Sequence, residues 1–118
     1  LLNTNNPEIK NSGNNFKITK NYRNKMLANI NQILTEAKAI QITNPDGTLS
    51  YKMTEVVPGS LYSQLNIQEN DIITHINGKK IENLNELMSL LGRIKEIDRF
   101  QLTLKRNGMN ENLEYNFE

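Results

Sequence analysis

The chain has 118 residues, 14 basic and 13 acidic side chains and 20 asparagines, but neither cysteine nor tryptophan. This length is typical of a single domain. The absence of cysteine excludes disulfides, cysteine–zinc clusters and a cysteine nucleophile, and a net charge of +1 without a dense basic stripe argues against a nucleic-acid partner.

Residues 1–15 are mainly asparagine, serine, threonine, glycine and proline. Such a segment buries too little apolar area to offset the entropy that it loses on ordering, so we predict a flexible linker over 1–15. The chain does not begin with Met, and we interpret it as a fragment of a longer protein. No run approaches the roughly 18 apolar residues that a membrane-spanning helix needs.

A helical extension is predicted over residues 16–38. Phe16–Ile18 alternates as a short strand does, and Thr19 suits the N-cap position of a following helix. Apolar residues then recur every three or four positions, which predicts an amphipathic helix over 20–37. Its apolar face consists of Tyr22, Met26, Leu27, Ile30, Ile33, Leu34 and Ala37. This face either docks on a partner or packs on the chain's own domain, and we favour the second interpretation.

Short β-segments separated by turns come next in the chain. We predict strands over 39–43, 51–57 and 71–76, a short pairing segment over 79–81, and a short helix over 61–65 that Ser60 caps. The turns between them contain Asn44-Pro45-Asp46-Gly47, Pro58-Gly59 and Asn77-Gly78. Asn-Gly is a strong hairpin signal.

The C-terminal part is predicted to contain a helix and a hairpin. Asn83 and Glu86 form a capping-box pattern ahead of a helix over 84–95. Strands over 100–106 and 113–117 flank a second Asn-Gly, and apolar residues alternate with polar ones at Phe100, Leu102 and Leu104, so one face is buried. The whole pattern predicts an α+β fold: a partly open β-barrel or sandwich of five or six short strands capped by two helices, with an extra N-terminal helix.

The sequence offers no clear catalytic or cofactor-binding pattern. His75 is the single histidine and lies in a predicted strand, with no nucleophile or acidic partner at a suggestive spacing, so we interpret it as a structural residue. Neither a calcium-loop spacing nor a glycine-rich phosphate loop occurs. We therefore expect a non-enzymatic binding module without metal or cofactor.

A resemblance to a known family rests on three blocks: Val56-Val57-Pro58-Gly59-Ser60, Leu65-Asn66-Ile67-Gln68-Glu69-Asn70-Asp71-Ile72-Ile73 and Ile76-Asn77-Gly78-Lys79. Together they resemble a PDZ domain of the bacterial type, and the helix over 84–95 and the final hairpin continue the match, so residues 39–118 are interpreted as this domain. The family usually has glycine where this chain has Asn66 and Asn70. Asparagine tolerates a left-handed backbone, so both positions are predicted to be left-handed.

The segment before this domain narrows the resemblance. Residues 16–20 and 26–40 are similar to the stretch that precedes the PDZ domain in the inner-membrane component C of type II secretion systems, the general secretion pathway protein C family. Lys20 and Lys38 stand where that family has arginine, and Gln41 stands where proline is frequent. The resemblance implies the periplasmic domain of an inner-membrane protein, tethered by a helix absent from this fragment. It also implies secreted exoproteins or secretion components, such as the outer-membrane secretin, as partners.

PDZ domains bind an extended peptide as an added strand beside a helix. The resemblance places this edge at 39–43 and the helix at 84–95. Helical periodicity turns Leu87, Leu91 and Ile94 toward the core. It turns Leu84 and Met88 toward the groove. The candidate groove residues are Ala39, Ile40, Gln41, Ile42, Thr43, Leu84 and Met88. Alternatively, the two helical groove residues also belong to the core.

The loop that holds a terminal carboxylate in peptide-binding relatives contains glycine. The corresponding Thr35-Glu36-Ala37-Lys38 contains none and is expected to stay helical. We therefore expect an internal segment or a folded protein surface as the ligand rather than a free C-terminus. Two further hypotheses stay open: the regulatory PDZ domain of an HtrA-like serine protease or membrane metalloprotease, and self-association through the edge strand.

Overall fold

A mixed β-sheet organises the chain in a computed structural model that describes residues 6–118, apart from the side chains of Ile30 and Leu91. This range contains eight strands: β1 Ile9–Ser12, β2 Asn15–Ile18, β3 Lys38–Thr43, β4 Leu49–Thr54, β5 Ile72–Ile76, β6 Lys79–Lys80, β7 Arg99–Arg106 and β8 Met109–Phe117. It also contains four helices, α1 Lys20–Ala28, α2 Ile30–Ile33, α3 Leu61–Gln64 and α4 Leu84–Gly92, and a 3-10 turn at Ile94–Glu96. The predicted α+β class is confirmed.

Within the described chain, the strands lie in the order β1-β2-β8-β7-β5-β4-β3, and β6 pairs with β5 beside this row. Adjacent strands are antiparallel, except that β2 and β8 run parallel with Phe16 opposite Tyr115. The two ends of the row are β1 and β3. The long β7–β8 hairpin therefore lies between the N-terminal strands and the strands that carry the candidate groove.

Alternating residues of the β7–β8 hairpin build the core. Three residues of each strand are buried, as the alternation in the sequence predicted: Phe100, Leu102, Leu104, Leu113, Tyr115 and Phe117. The Tyr115 ring lies 5.2 Å from the Phe16 ring, centroid to centroid, and the Tyr115 hydroxyl donates to the Leu65 carbonyl oxygen at 2.8 Å. Burial raises the pKa of Tyr115, so this donor keeps its proton.

The flexible linker predicted over 1–15 is wrong for most of the part that the structure describes. Ile9–Ser12 is a strand, Ile9 is buried in the core, and Gly13 with φ 61° supplies the turn into β2. Strand β2 pairs with β8, almost the full length of the chain away. Composition does not reveal this pairing, because only the folded chain brings β8 beside an otherwise polar segment. Residues 1–5 lie outside the described residues.

The single helix predicted over 20–37 is divided into α1 and α2. Asn29 follows α1, and its side-chain amide donates to the Lys25 carbonyl oxygen at 3.1 Å. This side-chain hydrogen bond competes with the backbone hydrogen bond that a continuing helix would make to the same oxygen. After α2, the amide and the hydroxyl of Thr35 both donate to the Gln32 carbonyl oxygen, at 3.0 and 2.6 Å. These contacts end the helix before residues 35–37. The helix predicted over 84–95 is likewise shorter, since α4 ends at Gly92.

Helix α1 packs on the sheet through one buried side chain and one arginine. Thr19 caps the helix as predicted, because its Oγ1 accepts the Tyr22 N–H at 3.0 Å, and the Tyr22 ring is buried. Arg23 donates to the Ile97 carbonyl oxygen at 2.9 Å, and its guanidinium lies 5.3 Å from the centre of the Phe117 ring. The helix therefore contacts the end of β8 and the segment that follows the 3-10 turn.

Asparagine occupies four left-handed backbone positions in the described chain: Asn66, Asn70, Asn77 and Asn107, with φ between 52° and 69°. The prediction for Asn66 and Asn70 is confirmed. Glu55 has φ 53° as well, which the sequence did not indicate. Its left-handed conformation ends β4 at Thr54 and not at residue 57, where the pattern had predicted the end.

The side chain of Asn66 also joins the N-terminal hairpin to the rest of the domain. Its Nδ2 donates to Asn14 Oδ1 at 3.4 Å, and its Oδ1 accepts from Gln68 Nε2 at 2.8 Å. Asn14, which lies in the β1–β2 turn, also donates to Glu111 Oε1 at 3.2 Å. Asn66 thus combines the backbone conformation of a glycine with contacts that a glycine does not make.

An ion pair connects the segment before β5 with the end of β7. Arg106 donates from Nε to Asp71 Oδ1 at 2.9 Å and from Nη2 to Asp71 Oδ2 at 2.7 Å. The Asp71 side chain is only 1 % exposed. The same Nη2 donates to the Asn66 carbonyl oxygen at 2.9 Å, and Asp71 Oδ2 also accepts the Gln68 N–H at 2.7 Å. Its hydrogen bonds with Asp71 raise the pKa of Arg106.

We predict that Asn66→Gly lowers the free energy of unfolding by about 1 kcal/mol, because glycine keeps the left-handed backbone but loses both side-chain hydrogen bonds. Asn70→Gly is the matched control, since Asn70 has φ 69° and no side-chain hydrogen bond among those described. It should change stability by less than about 0.5 kcal/mol. Urea denaturation of both variants measures the difference. Equal losses of unfolding free energy in the two variants would show that the side-chain hydrogen bonds of Asn66 contribute nothing to stability.

Candidate functional site

Strand β3 is an edge strand: in the described sheet it pairs with β4 alone. Ala39 lies opposite Met53 and Thr43 lies opposite Leu49, and both partners are buried. Directly opposed residues share a face of the sheet, so alternate β3 residues, from Ala39 to Thr43, lie on the core face. The intervening residues lie on the opposite face, where Ile40 is 51 % exposed.

The second part of the predicted groove is helix α4. Asn83 Oδ1 accepts the Glu86 N–H at 2.8 Å and thereby caps the start of the helix, as its sequence pattern predicted. Leu87 packs against the core, whereas Leu84 and Met88 are 50 % and 58 % exposed. These two residues are four positions apart and therefore lie on one face of the helix. The structure thus leaves an apolar ridge on α4 exposed.

Ile94 also packs against the core, as predicted, and so does Leu90. The prediction that Leu91 faces the core concerns a side chain outside those described. The alternative that Leu84 and Met88 belong to the core does not fit their exposure.

A backbone contact sets where α4 begins relative to β3. The Leu49 N–H donates to the Ile81 carbonyl oxygen at 2.7 Å, and this bridge lies three residues before the start of α4. Leu49 is also the partner of Thr43 in the register of β3 with β4. The start of α4 is therefore held close to the C-terminal end of β3, and both Leu49 and Ile81 are buried.

The segment that leads into β3 is not helical, which corrects the expectation that Thr35–Lys38 stays helical. Helix α2 ends at Ile33, and Glu36 lies in a bend. The Glu36 carbonyl oxygen accepts the Val57 N–H at 2.9 Å, and the exposed Lys38 side chain pairs with Glu55 at 3.0 Å. The entry to β3 is thereby attached to the loop that follows β4.

A glutamate holds the loop that follows β4. The two carboxylate oxygens of Glu69 accept the N–H groups of Glu55 and Val56 at 2.9 and 3.0 Å. These backbone hydrogen bonds lower the pKa of Glu69, because they favour its charged form. The Glu69 carboxylate therefore stabilises the left-handed Glu55, and through Val57 the entry to β3.

Nothing in the sequence marks Glu69 as a positioning residue. Its role depends on contacts with residues more than ten positions away, and a single exposed glutamate carries no signal of them. The sequence likewise does not indicate two exposed apolar residues near the β3 entry: Leu34, 62 % exposed, and Val57, 44 % exposed. Leu34 was assigned to the apolar face of the predicted helix, and the early end of α2 leaves it in a turn instead.

His75 is the single histidine of the chain and was interpreted from the sequence as a structural residue. His75 lies in β5 and contacts the neighbouring Thr74 hydroxyl at 2.8 Å through Nδ1. Residues 6–118 contain no group of three or more potential metal-ligating side chains. The helices in this range have at most nine residues, and none is long and apolar enough to cross a membrane.

We predict that Glu69→Gln weakens the dependence of stability on acid. The wild-type Glu69 pKa is below its usual value of 4.5, so its contribution is present above this pH and is lost as the pH falls through the lowered pKa. The variant does not titrate here, so its free energy of unfolding should fall less between about pH 5 and pH 3. Urea denaturation at both pH values measures this. Glu82→Gln, at an exposed position, is the control. If both variants lose the same free energy of unfolding between these pH values, the stabilising role assigned to Glu69 is contradicted.

The comparisons with known proteins agree with this architecture. The sequence model of the PDZ domain matches residues 36–116. No curated protein matches the chain. Two solved structures of the EpsC PDZ domain from Vibrio cholerae are similar to it. One is 19 % identical with a TM-score of 0.58, and its match covers 82 % of this chain and 92 % of the EpsC chain. The other is 21 % identical with a TM-score of 0.54, and its match covers 72 % of this chain and 98 % of the EpsC chain.

A third similar structure is the PDZ domain of the pullulanase C protein of the type II secretion system from Klebsiella pneumoniae, in complex with fatty acid. It is 22 % identical with a TM-score of 0.52, and its match covers 71 % of this chain and 87 % of the pullulanase C chain. Likeness at these identities concerns the fold. The family match extends over more than half of the chain and includes β3, α4 and the hairpins between and after them, so the chain belongs to the PDZ domain family.

Proposed function

We propose that the chain is a non-enzymatic protein-interaction domain that takes up an extended segment of a partner along β3. The observation that carries the proposal is the unshared edge of β3 in the described sheet. Such an edge presents backbone N–H and C=O groups that an added strand can pair with. The residues of this edge are Ala39, Ile40, Gln41, Ile42 and Thr43.

Helix α4 supplies the apolar part of the proposed groove. Leu87 packs on the core, so α4 lies over the core face of the sheet, the face that Gln41 shares. In an added strand, side chains alternate between the two faces. Every second partner residue is then directed toward Leu84 and Met88, which are half-exposed and gain apolar contacts on binding. The other partner residues lie beside Ile40.

We propose an internal segment, and not a free C-terminus, as the ligand. The segment Thr35–Lys38 contains no glycine, and the Glu36 carbonyl oxygen already accepts the Val57 N–H. The N–H groups of Thr35 and Glu36 already donate to the Gln32 and Ile33 carbonyl oxygens, each at 3.0 Å. These backbone donors are therefore not free to hold a terminal carboxylate, whereas an internal segment needs no such donors.

We further propose that the domain belongs to an inner-membrane component of a type II secretion system and acts in the periplasm. Support comes from the similarity of residues 16–20 and 26–40 to the segment that precedes the PDZ domain in the component C family, and from the fold shared with the EpsC and pullulanase C domains. The partners are then secreted exoproteins or secretion components such as the outer-membrane secretin, and a helix outside this fragment tethers the protein.

The proposal predicts that Leu84→Lys/Met88→Lys reduces type II secretion in cells that make the full-length protein. Both side chains are exposed, so the fold should change by less than about 0.5 kcal/mol for each substitution, whereas two charges in an apolar groove should weaken binding at least about ten-fold. Secreted enzyme activity in the culture medium is the readout.

Met109→Lys is the matched control, because Met109 is 68 % exposed and lies at the β7–β8 turn, away from β3 and α4. It should leave secretion unchanged. If the double variant accumulates normally and every substrate is still secreted at the wild-type rate, the proposed groove does not serve secretion.

A further inference from the structure

Two hairpins of this chain close with the same dipeptide, Asn-Gly. Asn77-Gly78 joins β5 to β6, and Asn107-Gly108 joins β7 to β8. Their φ angles are nearly equal, 52° and 80° in the first turn and 54° and 79° in the second. At both glycines a Cβ atom would meet nothing within 4 Å. The two turns therefore differ little in backbone conformation or local crowding.

The environments of the two asparagine side chains differ. Asn77 Oδ1 accepts the Gln101 N–H at 2.9 Å, and the Asn77 N–H donates to the Gln101 carbonyl oxygen at 2.8 Å. This pair of hydrogen bonds holds both the side chain and the backbone of Asn77 against β7. Asn107 is exposed, and none of the hydrogen bonds described for residues 6–118 involves its side chain.

We propose that Asn107 is a site of spontaneous deamidation and that the fold protects Asn77 from the same reaction. The backbone nitrogen of Gly108, after losing its proton to base, attacks Cγ of Asn107. A C–N bond forms, the bond from Cγ to Nδ2 breaks, and Nδ2 leaves as ammonia. The product is a five-membered succinimide. Glycine favours this step because it has no side chain to shield its nitrogen.

Water completes the reaction. It adds to one of the two succinimide carbonyl carbons and cleaves that carbon's bond to the Gly108 nitrogen. Cleavage at Cγ gives aspartate, and cleavage at the main-chain carbon gives isoaspartate. In total one water enters and one ammonia leaves, with no oxidation or reduction. At Asn77 the attack requires Cγ to turn toward Gly78, which breaks the hydrogen bond from Gln101 to Oδ1.

The reaction at Asn107 has a structural consequence. Isoaspartate adds one carbon to the main chain of a two-residue turn, in which Arg106 is paired directly with Met109. The longer turn does not fit this register, and Arg106 is the residue that holds Asp71. The aged protein should therefore be less stable than the fresh protein.

The test is incubation of the full chain in mildly alkaline buffer, followed by proteolysis and peptide mapping of aspartate and isoaspartate at both positions. The rate at Asn107 should exceed that at Asn77 by about five- to ten-fold, the factor expected if Asn77 must first lose one hydrogen bond. In the urea-denatured chain the two rates should become equal. Equal rates in the folded chain would overturn the proposal, and so would an unreactive Asn107 when the denatured chain reacts.

Asn107→Gly provides the second measurement, because a Gly-Gly turn keeps the left-handed backbone but has no side-chain amide to lose. The urea midpoint of the wild type should fall during ageing as isoaspartate forms, whereas that of the variant should fall no more than about one-fifth as fast, through the slower reaction at Asn77. An equal decline in both proteins would show that ageing acts elsewhere in the chain.

Discussion

The carboxylate of Asp71 is buried, and a buried charge is tolerated only when it is paired and fully hydrogen-bonded. Arg106 supplies two donors, and the Gln68 N–H supplies a third. The backbone of the same segment reaches β4: the Met53 N–H donates to the Asp71 carbonyl oxygen, and the Asn70 N–H donates to the Met53 carbonyl oxygen. The ion pair thus links the end of β7 to the connection between α3 and β5, and backbone hydrogen bonds attach that connection to β4, the neighbour of the edge strand β3.

These contacts set the geometry of the candidate groove. Strand β4 carries β3 along its full length, so the position of β4 sets the position of the binding edge. Glu69, two residues before Asp71, holds the loop after β4, and Val57 in that loop holds Glu36 at the entry to β3. At the other end, Ile81 fixes the start of α4 near Thr43. The edge and the helix of the proposed groove are therefore both attached to the sheet by backbone hydrogen bonds and not only by side-chain packing.

The sequence predicted features that depend on neighbouring residues. Alternation located the buried faces of β7 and β8, and turn chemistry located the left-handed Asn66 and Asn70, because these signals are local. It failed where distant parts of the chain meet: β1–β2 is ordered by the parallel pairing with β8, and Glu69 acts on residues far from it. The exposed ridge of Leu84 and Met88 followed from helical periodicity, whereas its role in binding remains a proposal, because periodicity locates a face and does not name its partner.

A double-mutant cycle on Asp71 and Arg106 tests most directly whether the fold depends on their pair. Asp71→Asn and Arg106→Met should each lower the free energy of unfolding by about 3 kcal/mol, because each leaves the other group buried with an uncompensated charge or donor. In the double variant neither charge remains, so the losses should fall short of additivity by about 2 kcal/mol. Urea denaturation of the four proteins gives this coupling energy. Additivity of the two losses within about 0.5 kcal/mol would contradict the claim that the fold depends on the pair of Asp71 and Arg106.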